Sequence, residues 1–178
     1  MSEVIGRSGP AVITSSAEGC MLAYRGAVVG IRRAPVDARY LANLYRAVAT
    51  ASAAGPGKAV MMTAYRLSPD FPIDVTHTWE AEEYLAPLRE IDRAVAAYAM
   101  LVEFGGLRAI GMRAVTRAVW SLARPRAALG TFDRLADAIA WLAPRAQLVG
   151  ALDEPAEYVR LYRTADRILD GIDAEARR

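Results

Sequence analysis

The chain has 178 residues, of which 54% are hydrophobic and 24% charged, with a mean hydropathy of +0.14 and a net charge of +2. That balance excludes an intrinsically disordered chain, an integral membrane protein and a strongly basic nucleic-acid binder. The length suits one domain with a full core. Lys58 is the only lysine, so arginine supplies the rest of the positive charge, a bias that GC-rich coding also produces.

Residues 1–10 read as a flexible leader without the charged-then-apolar pattern of a signal peptide. Residues 11–15 (AVITS) are β-prone, Ala17-Glu18-Gly19 offers a turn, and residues 20–31 (CMLAYRGAVVGI) read as a second strand with Gly26 as a bulge. The pair is an antiparallel hairpin by this reading. Residues 35–53 read as a helix with Pro35 in its first turn. Val36, Tyr40, Leu41, Leu44 and Val48 recur along one face. Gly55-Pro56-Gly57 ends it, and the apolar run 58–66 has the character of an interior strand.

Pro69 and Pro72 make residues 67–76 a loop. A helix follows over 78–91, with Glu80, Glu82 and Glu83 at its positive end and Pro87 kinking it or splitting it into two short helices. Residues 94–104 form the next interior strand, and Gly105-Gly106 turns the chain into a helix over 107–123. Its periodicity places Leu107, Ile110, Ala114, Val115, Ala118 and Leu122 on an inward face. Pro125 stops it. A short strand over 126–132 leads to Asp133 as an N-cap and to a helix ending before Pro144, with Leu135, Ala138, Ile139 and Leu142 inward. The fold class is therefore α/β: a mixed, mostly parallel sheet of about five strands with an N-terminal β-hairpin and flanking helices over 11–144. A linker and an extra C-terminal amphipathic helix occupy 145–178, the helix having Val159, Tyr162, Ile168, Leu169 and Ile172 on its apolar side.

Within this order, residues 130–143 (GTFDRLADAIAWLA) place Phe132, Asp133, Ala138, Trp141 and Leu142 in a strand–cap–helix phrase, preceded by a helix dotted with Arg108, Arg113 and Arg117. The phrase and the element order resemble the STAS-like fold, named for sulfate transporters and anti-sigma-factor antagonists. The likeness is closest to its small stand-alone SpoIIAA-like group and covers residues 11–143. The resemblance implies a non-enzymatic regulatory or protein-interaction module. In the antagonist branch a partner kinase phosphorylates a serine or threonine after the central strand. The corresponding region, 67–79, holds Ser68, Thr76 and Thr78 but no Asp-Ser signature, so the switch is assigned to no residue.

No cofactor or metal is implied by the residues. His77 is the only histidine; Asp74, His77 and Glu80 are three apart but straddle a helix start, short of a metal ligand set. Cys20, the only cysteine, fits a reducing, cytoplasmic setting and has no assignable base to activate it. Gly105-Gly106 belongs to neither phosphate-loop pattern. The candidate partner-binding residues are Arg113, Arg117, Trp120 and Arg124, because arginine and tryptophan together favour interface hot spots. The expected partner is a protein, with self-association through the C-terminal helix as one form of it, and not a nucleic acid or the membrane interior. The alternative is a small-ligand or lipid-binding domain with a pocket between sheet and helices, beneath the loop 68–79.

Overall fold

A computed structural model describes residues 9–34, 37–55, 57–67, 91, 93–123 and 126–178. Its sheet has six strands in sequential order: β1 (Ala11–Ser16), β2 (Gly19–Tyr24), β3 (Ala27–Arg32), β4 (Ala59–Tyr65), β5 (Val95–Val102) and β6 (Ala128–Phe132). β1–β2 and β2–β3 pair antiparallel, and β3 to β6 run parallel. The helices are α1 (Ala38–Ala53), α2 (Gly106–Ala123), α3 (Leu135–Leu148) and α4 (Pro155–Ala176). The expected α/β class with a mixed sheet, flanking helices and a further C-terminal helix is what the chain forms. The loop and helix read over 67–91 lie almost wholly outside the described residues, as do Ser68, Thr76 and Thr78.

The sheet has one strand more than the sequence suggests, and the reason is local. Arg25 and Gly26 both have positive φ, 45° and 77°, which makes a two-residue hairpin turn and not a bulge. Residues 20–31 therefore fold back on themselves, with Tyr24 opposite Ala27 and Leu22 opposite Val29. Arg-Gly lacks the Asn-Gly or Asp-Gly signal that marks such turns. The Gly26 position also needs its missing side chain, since a Cβ there would lie 2.9 Å from the Ala151 Cβ.

Both sheet faces are covered, so the central strands are almost wholly apolar, with Thr63 and Arg32 the buried polar residues among them. One face, through Leu22, Val29, Met62 and Leu101, packs on α3 and α4. The other, through Val28, Met61, Tyr98 and Met100, packs on α1 and α2. α1 begins where Asp37 Oδ1 accepts from the Tyr40 backbone N–H at 2.6 Å. It then buries Tyr40, Leu41, Leu44 and Val48 of the face its spacing predicts, while Pro35 and Val36 lie outside the described residues.

α3 departs from expectation at both ends. Arg134, not Asp133, occupies the N-cap position, without a side-chain bond. The helix also continues through Pro144 to Leu148. Proline removes one backbone donor and crowds the preceding turn. Arg145 Nη1 donates to the Trp141 carbonyl at 2.7 Å, its guanidinium 3.9 Å from the indole centroid, so polar contacts near the proline are retained.

α4 lies on its own sheet. Tyr158, Leu161, Tyr162, Ala165 and Leu169 are buried against β2 and β3. The Tyr158 hydroxyl donates to the Leu152 carbonyl at 2.5 Å, and the Leu152 N–H donates to the Arg25 carbonyl at 2.9 Å. Its outer side carries Arg160, Arg163 and Arg167, all exposed.

Cys20 faces the α3–α4 core at 2% exposure, and burial pushes its thiol up to about 11. At mildly alkaline pH it therefore holds roughly a hundredth of the thiolate of an ordinary cysteine. We expect a disulfide reagent to label Cys20 only through unfolding, so the rate should follow denaturant concentration. Immediate labelling of the native chain would contradict its placement.

Candidate interaction surface

α2 leaves β5 through Gly105 and Gly106, the latter at φ 77°. Neither glycine has another atom within 4 Å of where a Cβ would stand, so their role is the turn itself. The helix is rotated about half a turn from the orientation its apolar spacing predicts. Leu107 is 86% and Ile110 58% exposed, and Ala114 and Ala118 are exposed with them. The side that faces the domain carries Ala109, Met112, Thr116 and Trp120.

The cause lies in Trp120. Its ring packs on Tyr98 of β5, centroids 5.8 Å apart, and its indole N–H donates to the Ala127 carbonyl at 3.1 Å. A tryptophan finds both apolar contact and a polar partner there, and no residue on the opposite face offers as much area. Both faces of α2 contain apolar residues, so spacing alone does not choose between them. The position of the tryptophan does.

The structure places the expected partner-binding residues as follows. Arg117 is exposed, and its Nη2 donates to Thr131 Oγ1 of β6 at 2.6 Å. Arg113 is half-buried at the flank of the helix, and Trp120 is half-buried beneath it. Arg124 lies outside the described residues. Leu107 and Ile110 join this surface although their spacing suggested core. From Phe104 to Phe132 the sequence contains five arginines and no acid. α2 thus couples a narrow exposed apolar strip to charged residues of its own that are all arginine.

Two polar clusters lie elsewhere. Against α1, the buried Arg32 guanidinium sits 4.7 Å from the Tyr40 ring centroid, 3.6 Å from Asp37 and 3.7 Å from Glu18. Nearby, the Tyr65 and Tyr98 hydroxyls are 3.3 Å apart. A hollow beside Arg32, Arg39 and Asn43 measures about 20 Å³, room for about one water. On the α4 side, Arg66 bonds to Glu103, Asp166 and the Tyr162 hydroxyl, and that hydroxyl donates to Glu103. Burial lowers the Arg66 pKa, but the bonds to Asp166 and Glu103 outweigh it and leave the guanidinium above its ordinary value. Arg33 adds a bond of 2.8 Å to Asp173. Arg66 bridges two acids and Arg33 holds a third, so these contacts fasten α4 to the ends of β3, β4 and β5. The spacing Tyr162–Asp166, one helical turn, and the charges directly after apolar strands at Arg66 and Glu103 were the sequence signals for it.

Burial raises the phenol pKa of Tyr40, Tyr65, Tyr98, Tyr158 and Tyr162. The unfolded chain loses those protons near pH 10, while the folded chain holds them. Stability is therefore fully present below pH 10 and falls above it, by up to about 1.4 kcal/mol per pH unit for each tyrosine. We expect tyrosinate absorbance from these five to appear together with loss of the helical circular dichroism signal. Gradual ionisation of all five in a still-folded chain would contradict their burial.

Among the described residues no group of three or more His, Cys, Asp or Glu is placed to hold a metal ion. Also among them, no helix is long and apolar enough to cross a membrane. Asp74, His77 and Glu80, and the loop over the expected ligand pocket, lie outside the described residues. No protein-family model, curated protein or solved structure matches the chain.

Proposed function

We propose that this protein is a non-enzymatic, STAS-like interaction module of the cytoplasm, which binds a protein partner through the outer face of α2. The element order, with a hairpin leading into a parallel sheet that ends in the Gly130–Trp141 phrase, is compatible with that family without being peculiar to it. The observation that carries the reading is the exposure of Leu107 and Ile110 within a segment that has arginines and no acids. Covering what these two side chains expose is worth about 2–4 kcal/mol before association costs, so the contact also needs the flanking arginines and the rest of the strip.

Affinity capture from the native host tests it. Leu107→Ser with Ile110→Ser should leave the melting temperature nearly unchanged, since exposed substitutions shift stability by about 0.5 kcal/mol or less. The same variant should lose the captured partner, as should Arg113→Glu with Arg117→Glu. Full capture by both variants would remove α2 from the interface.

A further inference from the structure

We infer that the partner of α2 presents an acidic amphipathic helix; this rests on the reading of α2 as the interface and names what fits it. The exposed strip runs Leu107, Ile110, Gly111, Ala114, Ala118, which is the i, i+3, i+4, i+7 pattern of a helix seam. It is narrow, spanning about 100° of the helix surface. Large side chains stand at its N-terminal end, and glycine and alanine follow, so a second helix can settle close along the rest. α2 is 18 residues, about 27 Å, long enough for five turns of contact.

Charge selects among helices. α2 contributes Arg108, Arg113 and Arg117 and no carboxylate, and Arg126 follows it. A partner with glutamate or aspartate flanking its apolar seam meets complementary charge at Arg113 and Arg117. A second copy of α2 would bring arginines against arginines and is disfavoured by the same argument. A bilayer is a poorer fit, because Gly111, Ala114 and Ala118 add little insertion energy and the described exposed strip offers no aromatic anchor. A nucleic acid would leave Leu107 and Ile110 against phosphate.

Site-specific photocrosslinking in the native cells tests this, with a photoreactive residue at Ala114 or Ala118 and a control at the exposed Ala156 of α4. The expected product is a protein fragment with net negative charge and apolar residues at helical spacing. Its yield at Ala114 should fall about tenfold or more with Arg113→Glu and Arg117→Glu, and persist when both become lysine. A protein fragment that is neutral or basic would overturn the inference and leave the α2 interface standing. A lipid or nucleic-acid product, or a protein yield at Ala114 no higher than at Ala156, would overturn both.

Discussion

Removing residues 153–178 should abolish the cooperative fold. The tail reads in sequence as an appendage to a finished domain, but its apolar side covers β2 and β3. Tyr158, Leu161, Tyr162 and Leu169 are each worth about 1.5–3 kcal/mol of burial, or about 6–12 kcal/mol together. The whole stability of a domain is about 5–15 kcal/mol. Loss of α4 also leaves Arg66 and Glu103 without Asp166 and Tyr162. The truncated chain should therefore melt without a cooperative transition and aggregate in light scattering. The single change Tyr158→Ala should lower stability by about 3–5 kcal/mol, and Tyr158→Phe by about 1–3 through the orphaned Leu152 carbonyl. A truncated chain that stays monodisperse, with an unchanged melting temperature, would show that α4 does not cover the sheet.

Gly130→Val should destabilise the domain by about 3 kcal/mol or more, and Gly130→Ala by about 1–3. Gly130 sits on β6 opposite Ala99, facing the α3 side. A Cβ there would stand 2.5 Å and 2.6 Å from ring atoms of Phe132 and 2.9 Å from the Trp141 ring. Those rings pack on each other, centroids 5.6 Å apart, and close the space above the glycine. Moving one drives it into the other, and Trp141 is further held by the Arg145 guanidinium above its face. Thermal unfolding of the two variants measures the effect. A Gly130→Val chain as stable as the parent would mean that the Phe132–Trp141 pair does not sit over this position.

These two positions show what the sequence made legible and what it did not. The phrase from Gly130 to Ala143 was readable because glycine, phenylalanine and tryptophan occur there at a spacing that one packing unit requires. It speaks for strand–helix packing, and packing is shared by many α/β domains. Apolar runs at β4 and β5 announced strands buried on both faces. The Arg25–Gly26 turn was hidden because its left-handed first residue is an arginine, which spacing rules do not flag. The spacing of α2 points its inward face the wrong way because both its faces carry apolar residues and only the tertiary contact of Trp120 with Tyr98 selects one. The same ambiguity concealed Leu107 and Ile110, the best features of the candidate surface, by assigning them to the core. The exposure of Arg117 is legible because a basic residue on a helix flank needs no tertiary information. How α4 seats on the sheet depends on partners far away in sequence, Arg33, Arg66 and Glu103; local spacing marks the two ends of that contact but does not pair them.

Hydroxyl-radical footprinting of the captured complex tests the central claim most directly, because it reads side chains one by one. Leu107 and Ile110 should be oxidised readily in the free chain and protected in the complex. Tyr45 and Leu148, 53% and 85% exposed on other parts of the surface, serve as internal references and should react equally in both states. Protection confined to Leu107, Ile110 and their neighbours on α2 is the predicted result. Unchanged oxidation of Leu107 and Ile110, with protection appearing at Tyr45, at Leu148 or along β1, would contradict it.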